Sequence, residues 1–145
     1  MKKLILLSIT SSVLLASCNK TGDSNRTKCP TNIGCTMEFR MFSITIQNMD
    51  GSPKTLDSFY TLLKGTNTVL ENSSTYTNSK LAQIKSTGIY PAISDEDLEQ
   101  LVPYQNMEVV FVGFKNGKEV IRHTILVESD CCHINLKSTN NPIVF

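Results

Sequence analysis

The sequence predicts an all-β fold, a small antiparallel β-sandwich of the transthyretin-like or Ig-like kind with one short helix. Three observations carry that expectation. An Asn116-Gly117 pair stands between two long β-branched runs, the signature of a two-residue hairpin. Apolar and polar residues alternate near the start of the body, from Cys35 to Met41. Turn-forming clusters, such as Asn48-Met-Asp50-Gly51-Ser-Pro53, separate short apolar runs.

The elements follow in order. Residues 35–41 place Cys35, Met37, Phe39 and Met41 on one face, and the phase then flips to Phe42, Ile44 and Ile46. A one-residue slip would expose one of these sets, so a bulge near Met41 or a strand buried on both faces is expected. A second strand spans 55–63, with Leu56, Tyr60 and Leu62 in phase. The hairpin from Met107 to Val127 has its register fixed by the short loop, pairing Phe114 with Glu119, Val112 with Ile121 and Val110 with His123. Its core face then carries Val110, Val112, Phe114, Ile121, Ile125 and Val127. The opposite face is also apolar, so a central hairpin covered by the middle segment, 65–105, is expected. Within that segment Asn72–Ser79 reads as loop. Ser94–Leu101 reads as one or two helical turns, with Ser94 as N-cap and Asp95, Glu96 and Asp97 in the first turn. A last strand, Cys131–Lys137, and the terminal Pro142–Phe145 close the chain.

The N-terminus carries other information. Lys2 and Lys3 precede a mostly apolar run from Leu4 to Ala16, too short to span roughly 30 Å of hydrocarbon, and Leu15-Ala16-Ser17-Cys18 follows. This resembles the lipobox of bacterial lipoproteins, which implies removal of residues 1–17 and lipidation of Cys18. The mature chain would have 128 residues (145 less 17). Its side chains would balance 12 basic (14 less Lys2 and Lys3) against 13 acidic, a net of −1. Asn19, rather than Asp, points to the outer membrane, at its periplasmic face or the cell surface. Residues 18–34 are polar up to Ile33 and read as a flexible tether, with residues 35–145 as the β-sandwich domain.

The Cys-then-strand opening, the Asp50-Gly51-Ser52-Pro53 turn, the Asn116-Gly117 hairpin and the closing Ser129-Asp130-Cys131-Cys132-His133 resemble small Bacteroidetes-type lipoproteins with a transthyretin-like or carboxypeptidase-regulatory-like sandwich. The resemblance implies a non-catalytic module.

With Cys18 assigned to the anchor, Cys29, Cys35, Cys131 and Cys132 remain, an even number in an oxidising compartment. Of three connectivities, the vicinal one would be a strained ring. Strand phase puts Cys35 and Cys132 on core faces and Cys131 outside with His133 and Lys137. The expected pairs are therefore Cys35–Cys132, an internal staple, and Cys29–Cys131, fastening the tether. The alternative reading of Cys29, Cys35, Cys131, Cys132 and His133 is a Zn²⁺ or Cu(I) site, although the Cys-x₅-Cys spacing is unusual for zinc.

No nucleophile–base–orienter order, phosphate loop or calcium-loop spacing is present. A charged fraction of 19% and a formal net charge of +1 for the full sequence provide no basic stripe for nucleic acid. The expectation is an envelope-anchored lipoprotein without cofactor or catalytic residues, holding the membrane through its lipid and binding an unidentified protein or glycan. The alternative is a redox or metal-handling lipoprotein.

Overall fold

The computed structural model describes residues 28–138 and 140–144; the signal segment and Cys18 lie outside the described residues. The chain forms β1 (Met41–Gln47), β2 (Ser58–Leu63), β3 (Val69–Asn72), α1 (Asn78–Thr87), β4 (Ile89–Ser94), β5 (Asn106–Lys115), β6 (Lys118–Ser129), β7 (Ile134–Ser138) and β8 (Ile143–Val144). Short 3₁₀ turns occupy Ser73–Thr75 and Asp95–Gln100. Two sheets result, a three-stranded one ordered β4-β1-β8 and a five-stranded one ordered β3-β2-β5-β6-β7. Neighbouring strands run antiparallel except β8, which lies parallel to β1.

The core fills the space between the sheets. Ile44, Ile46, Tyr90, Ala92 and Ile93 come from the smaller sheet and Phe59, Leu63, Val109, Phe111, Ile121, Ile125, Val127 and Ile134 from the larger. With no tryptophan, an aromatic group supplies much of the bulk. Phe59 meets Tyr90 edge-on at 5.3 Å and stacks on Phe111 at 5.8 Å. The Tyr90 hydroxyl, buried with its ring, accepts from Leu56 N–H and donates to Lys54 carbonyl oxygen, both at 2.8 Å. The sheets are also joined directly, because the Thr61 hydroxyl donates to Ala92 carbonyl oxygen at 2.7 Å.

The Asn116-Gly117 turn forms as expected, with φ of 51° and 71°, and pairs Phe114 with Glu119. Beyond it the register slips by one between Gly113 and Phe114, so Gly113 pairs Ile121, Val112 pairs Arg122 and Phe111 pairs His123. The cause is crowding. A Cβ at residue 113 would lie 2.5 Å from both an Ile121 and a Leu56 methyl carbon. The glycine lets the two side chains fill its place and Val120 becomes the extra residue of the bulge. The slip reverses the faces of β5: Val109 and Phe111 enter the core cluster, whereas Val110, Val112 and Phe114 lie on the other face.

Two further expectations are corrected. The run from Cys35 is not a strand until Met41, and Met37, Phe39 and Met41 face solvent. The expected bulge is present between Phe42 and Ser43, with Ile44 and Ile46 buried. In β2 the buried residues are Phe59, Thr61 and Leu63, not Tyr60 and Leu62. The middle segment covers the hairpin face that carries Val109 and Phe111, as expected, and this is the core face: Tyr90 meets Phe111 at 6.0 Å, and Ile84, Ala92, Ile93 and Leu101 pack into the same cluster. It also supplies the only α-helix among the described residues, α1, begun by Thr77 and ended at Gly88 in the left-handed conformation. The helical turns expected at Ser94–Leu101 are present as a 3₁₀ helix, Asp95–Gln100, with Ser94 as its N-cap and the Asp97 carboxylate accepting from Ser94 N–H at 2.9 Å.

Candidate functional site: a clamped N-terminal segment and its groove

The chain reverses between β6 and β7 through Asp130-Cys131-Cys132-His133. The Asp130 carboxylate organises this turn, with one oxygen accepting from Cys132 N–H at 3.0 Å and His133 N–H at 2.8 Å, and the other from the Asn135 amide at 3.0 Å. Cys131 takes a left-handed φ of 74°, an unusual conformation for a residue with a side chain. The turn presents the two adjacent sulfurs to two different partners. Cys29 is bonded to Cys131 and Cys35 to Cys132, across 102 and 97 residues of sequence.

These bonds join the residues that strand phase pairs, but by another route. Cys35 lies in an exposed extended segment ahead of β1, Cys132 lies in the turn ahead of β7, and Leu136 is exposed rather than a core neighbour. The staple is therefore at the rim of the sandwich and not inside it. Both disulfides fasten the same segment, 29–35, to the same turn.

A polar latch extends this fastening. Asp95 opens the second 3₁₀ turn; its carboxylate accepts from Arg40 N–H at 2.8 Å, Ile134 N–H at 2.9 Å and His133 Nδ1 at 2.8 Å. The side chains of His133 and Asp95 are 7% and 8% exposed, so this pair is nearly dry. With Asp95 ionised, Nδ1 carries the proton, and in the neutral ring Nε2 accepts from the Thr36 hydroxyl at 2.8 Å. Arg40 adds a bond from its guanidinium to the Asn135 side-chain oxygen at 2.6 Å and a longer contact to Glu38 at 3.1 Å.

Burial works against ionisation of Asp95. The hydrogen bonds from His133, Ile134 and Arg40 outweigh it and hold the carboxyl below its ordinary range. Asp130 behaves alike: burial raises its pKa, but bonds from Asn135, His133 and Cys132 leave it depressed. One carboxylate thus serves four segments at once: the N-terminal run, the 3₁₀ turn, the Cys131–His133 turn and β7.

Between the clamped segment and this turn lies an open groove of about 430 Å³. Ile33, Thr36, Glu38 and Arg40 line one side, with Asp130, Cys132 and His133 opposite and Tyr104 at the margin. Tyr104 is held by its N–H bond to Ser129 carbonyl oxygen at 2.7 Å.

The structure therefore gathers Cys29, Cys35, Cys131, Cys132 and His133 around one turn. As a metal-ligand set they are unsuited, because all four sulfurs are bonded to one another and the His133 nitrogens are engaged by Asp95 and Thr36. No group of three or more His, Cys, Asp or Glu among the described residues could hold a metal ion. His123 is half-buried on β6 opposite Phe111 and does not line the groove, and burial lowers its pKa. Sequence reasoning missed Thr36 and Arg40. Asp95 was read only as part of a solvated helix start, and nothing local distinguishes it from Glu96.

No protein-family model, curated protein or solved structure matches the chain. The fold stands as two β-sheets in a small β-rich domain, and its two disulfides are the mark of an extracytoplasmic protein.

Proposed function

We propose that this chain is a lipid-anchored, non-catalytic binding module of the bacterial cell envelope, tethered through Cys18 and of the kind of its transthyretin-like look-alikes. One observation carries the binding role: the segment 29–35 is fixed covalently to the turn between β6 and β7, walling a pre-organised groove. Rigid walls lower the ordering cost of binding. Arg40 and Glu38 beside Ile33 and Tyr104 offer both charge and apolar surface to a protein or glycan.

The order Thr36–His133–Asp95 is also that of an acyl-transfer relay. A latch is the better reading, because Asp95 divides its bonds among three chain segments and fastens each. Two experiments test the proposal. The mature protein, purified from its own membranes, is expected to show the mass of an acylated Cys18; an unmodified Cys18 would refute the anchor. A photo-crosslinker at Tyr104 is expected to give a discrete adduct in cells, while one at Val120, outside the groove, gives none. Covalent labelling of Thr36 by a fluorophosphonate would instead establish an enzyme and overturn the non-catalytic role.

A further inference from the structure

The run from Thr36 to Met41, which leads from the second disulfide into β1, inverts the usual hydrophobic pattern. Its even positions are engaged: Thr36 bonds His133, Glu38 meets Arg40, and Arg40 reaches Asn135. Its odd positions carry the large apolar groups and face solvent, with Met37 103%, Phe39 56% and Met41 49% exposed. Isolated exposed apolar side chains need no explanation, but three at alternate positions of one fastened segment do. Crosslinks and latch together prevent this stripe from turning inward.

Two facts identify what covers it. Cys18 and Cys29 are 11 residues apart (29 less 18), a reach of at most about 40 Å. The anchor therefore keeps this end of the body close to the bilayer. The intervening run, Asn19–Lys28, holds Lys20, Arg26 and Lys28 against Asp23, a net of +2 (three less one), which favours an anionic lipid surface.

We propose that the Met37–Phe39–Met41 stripe is a membrane-contact surface, seated at the headgroup–acyl boundary of the bilayer that holds the lipid anchor. The proposal rests on lipidation at Cys18. It gives the anchored body a fixed orientation: the stripe down, and the turn at residues 48–52, beyond the far end of β1, directed away from the lipid. Methionine and phenylalanine suit such a boundary, since neither brings a polar group that must be desolvated.

The protein lacks tryptophan, so one introduced indole reports its own surroundings. The mature lipidated protein carrying Phe39→Trp, and separately Met49→Trp, is reconstituted in phosphatidylethanolamine–phosphatidylglycerol vesicles. Acyl chains brominated near the headgroup serve as quenchers. The indole at position 39 should emit to the blue of a solvent-exposed indole and lose at least half its intensity to brominated lipid. The indole at position 49, an exposed site, should keep the emission of a wet surface and lose less than a tenth. Both positions are exposed, so neither change disturbs the core; non-reducing peptide maps verify the folded chain. An unquenched, solvent-like indole at position 39 in a chain of acylated mass overturns the membrane contact alone. A blue-shifted but unquenched indole does so in favour of a second copy or a protein. A chain without acyl mass overturns the anchor and, with it, this surface.

Discussion

Replacing Gly88 by alanine tests how α1 is joined to the smaller sheet. Gly88 has a φ of +68°, and a Cβ there would sit 2.7 Å from Ile46 carbonyl oxygen and 3.1 Å from Pro53 Cα and Cβ. The obstacle is backbone. That oxygen already accepts from Lys54 N–H at 2.9 Å, while Ile46 N–H donates to Gly88 carbonyl oxygen at 2.8 Å, so moving either strand loosens a bond. The left-handed conformation costs an alanine about 1–2 kcal/mol. Overpacking against fixed backbone adds about 1–3 kcal/mol. The lower entropy of the unfolded chain returns about 0.4–1 kcal/mol. The net loss is about 3 kcal/mol, a large part of the stability of a domain this size. Gly51 is the control: its φ is +82° with nothing within 4 Å of a Cβ, so Gly51→Ala registers the conformational cost alone, about 1 kcal/mol. Urea unfolding of the oxidised Cys18→Ser chain should give two midpoints well apart with a common m-value. Unfolding free energies that agree within about 0.5 kcal/mol would refute the close approach at Ile46.

Tyr90→Phe leaves the buried Leu56 N–H and Lys54 carbonyl without their partner, and should cost about 1–3 kcal/mol in the same assay. Asp95 and Asp130 have pKa values lowered by folding, so each contributes stability that is complete above the ordinary carboxylate range and lost as pH falls through the folded value. The urea midpoint should therefore fall below about pH 4, and Asp95→Asn should both lower it at neutral pH and flatten that decline. The disulfides should be markedly non-additive. Removing both opens loops of 102 and 97 residues, but with one intact the other closes a ring of only about seven residues. In the chain-entropy model the Cys35→Ser/Cys132→Ser protein should lose about 2 kcal/mol, against about 7 kcal/mol for full reduction. Equal losses would contradict the nested arrangement.

Local chemistry was legible in the sequence wherever it decided the outcome by itself. Asn116-Gly117 can hardly do other than turn, and Ser94 with Asp97 sets up its own cap. What escaped was decided at a distance. The bulge at Gly113 depends on Leu56, which lies outside the hairpin, as well as on Ile121 across the turn. Helix α1 has no acidic residue in its first turn and buries only Ile84, so its periodicity is faint; Thr77 and Gly88 were the available signals. The alternation from Cys35 to Met41 was real, but its polar members are the ones held, by His133 and Asn135 nearly a hundred residues away. Thr36, Asp95 and His133 meet because crosslinks and strand pairing bring their segments to one rim, and that juxtaposition has no sequence motif.

The Cys29–Cys131 bond has a mechanical consequence. A pull on the chain ahead of Cys29 enters the body at residue 29 and passes at once through sulfur to residue 131, at the junction of β6 and β7. If the load is taken up by something held in the groove, whose Asp130, Cys132 and His133 flank that junction, traction crosses only a few covalent links. The hydrogen-bonded ladders of both sheets then carry almost none of it.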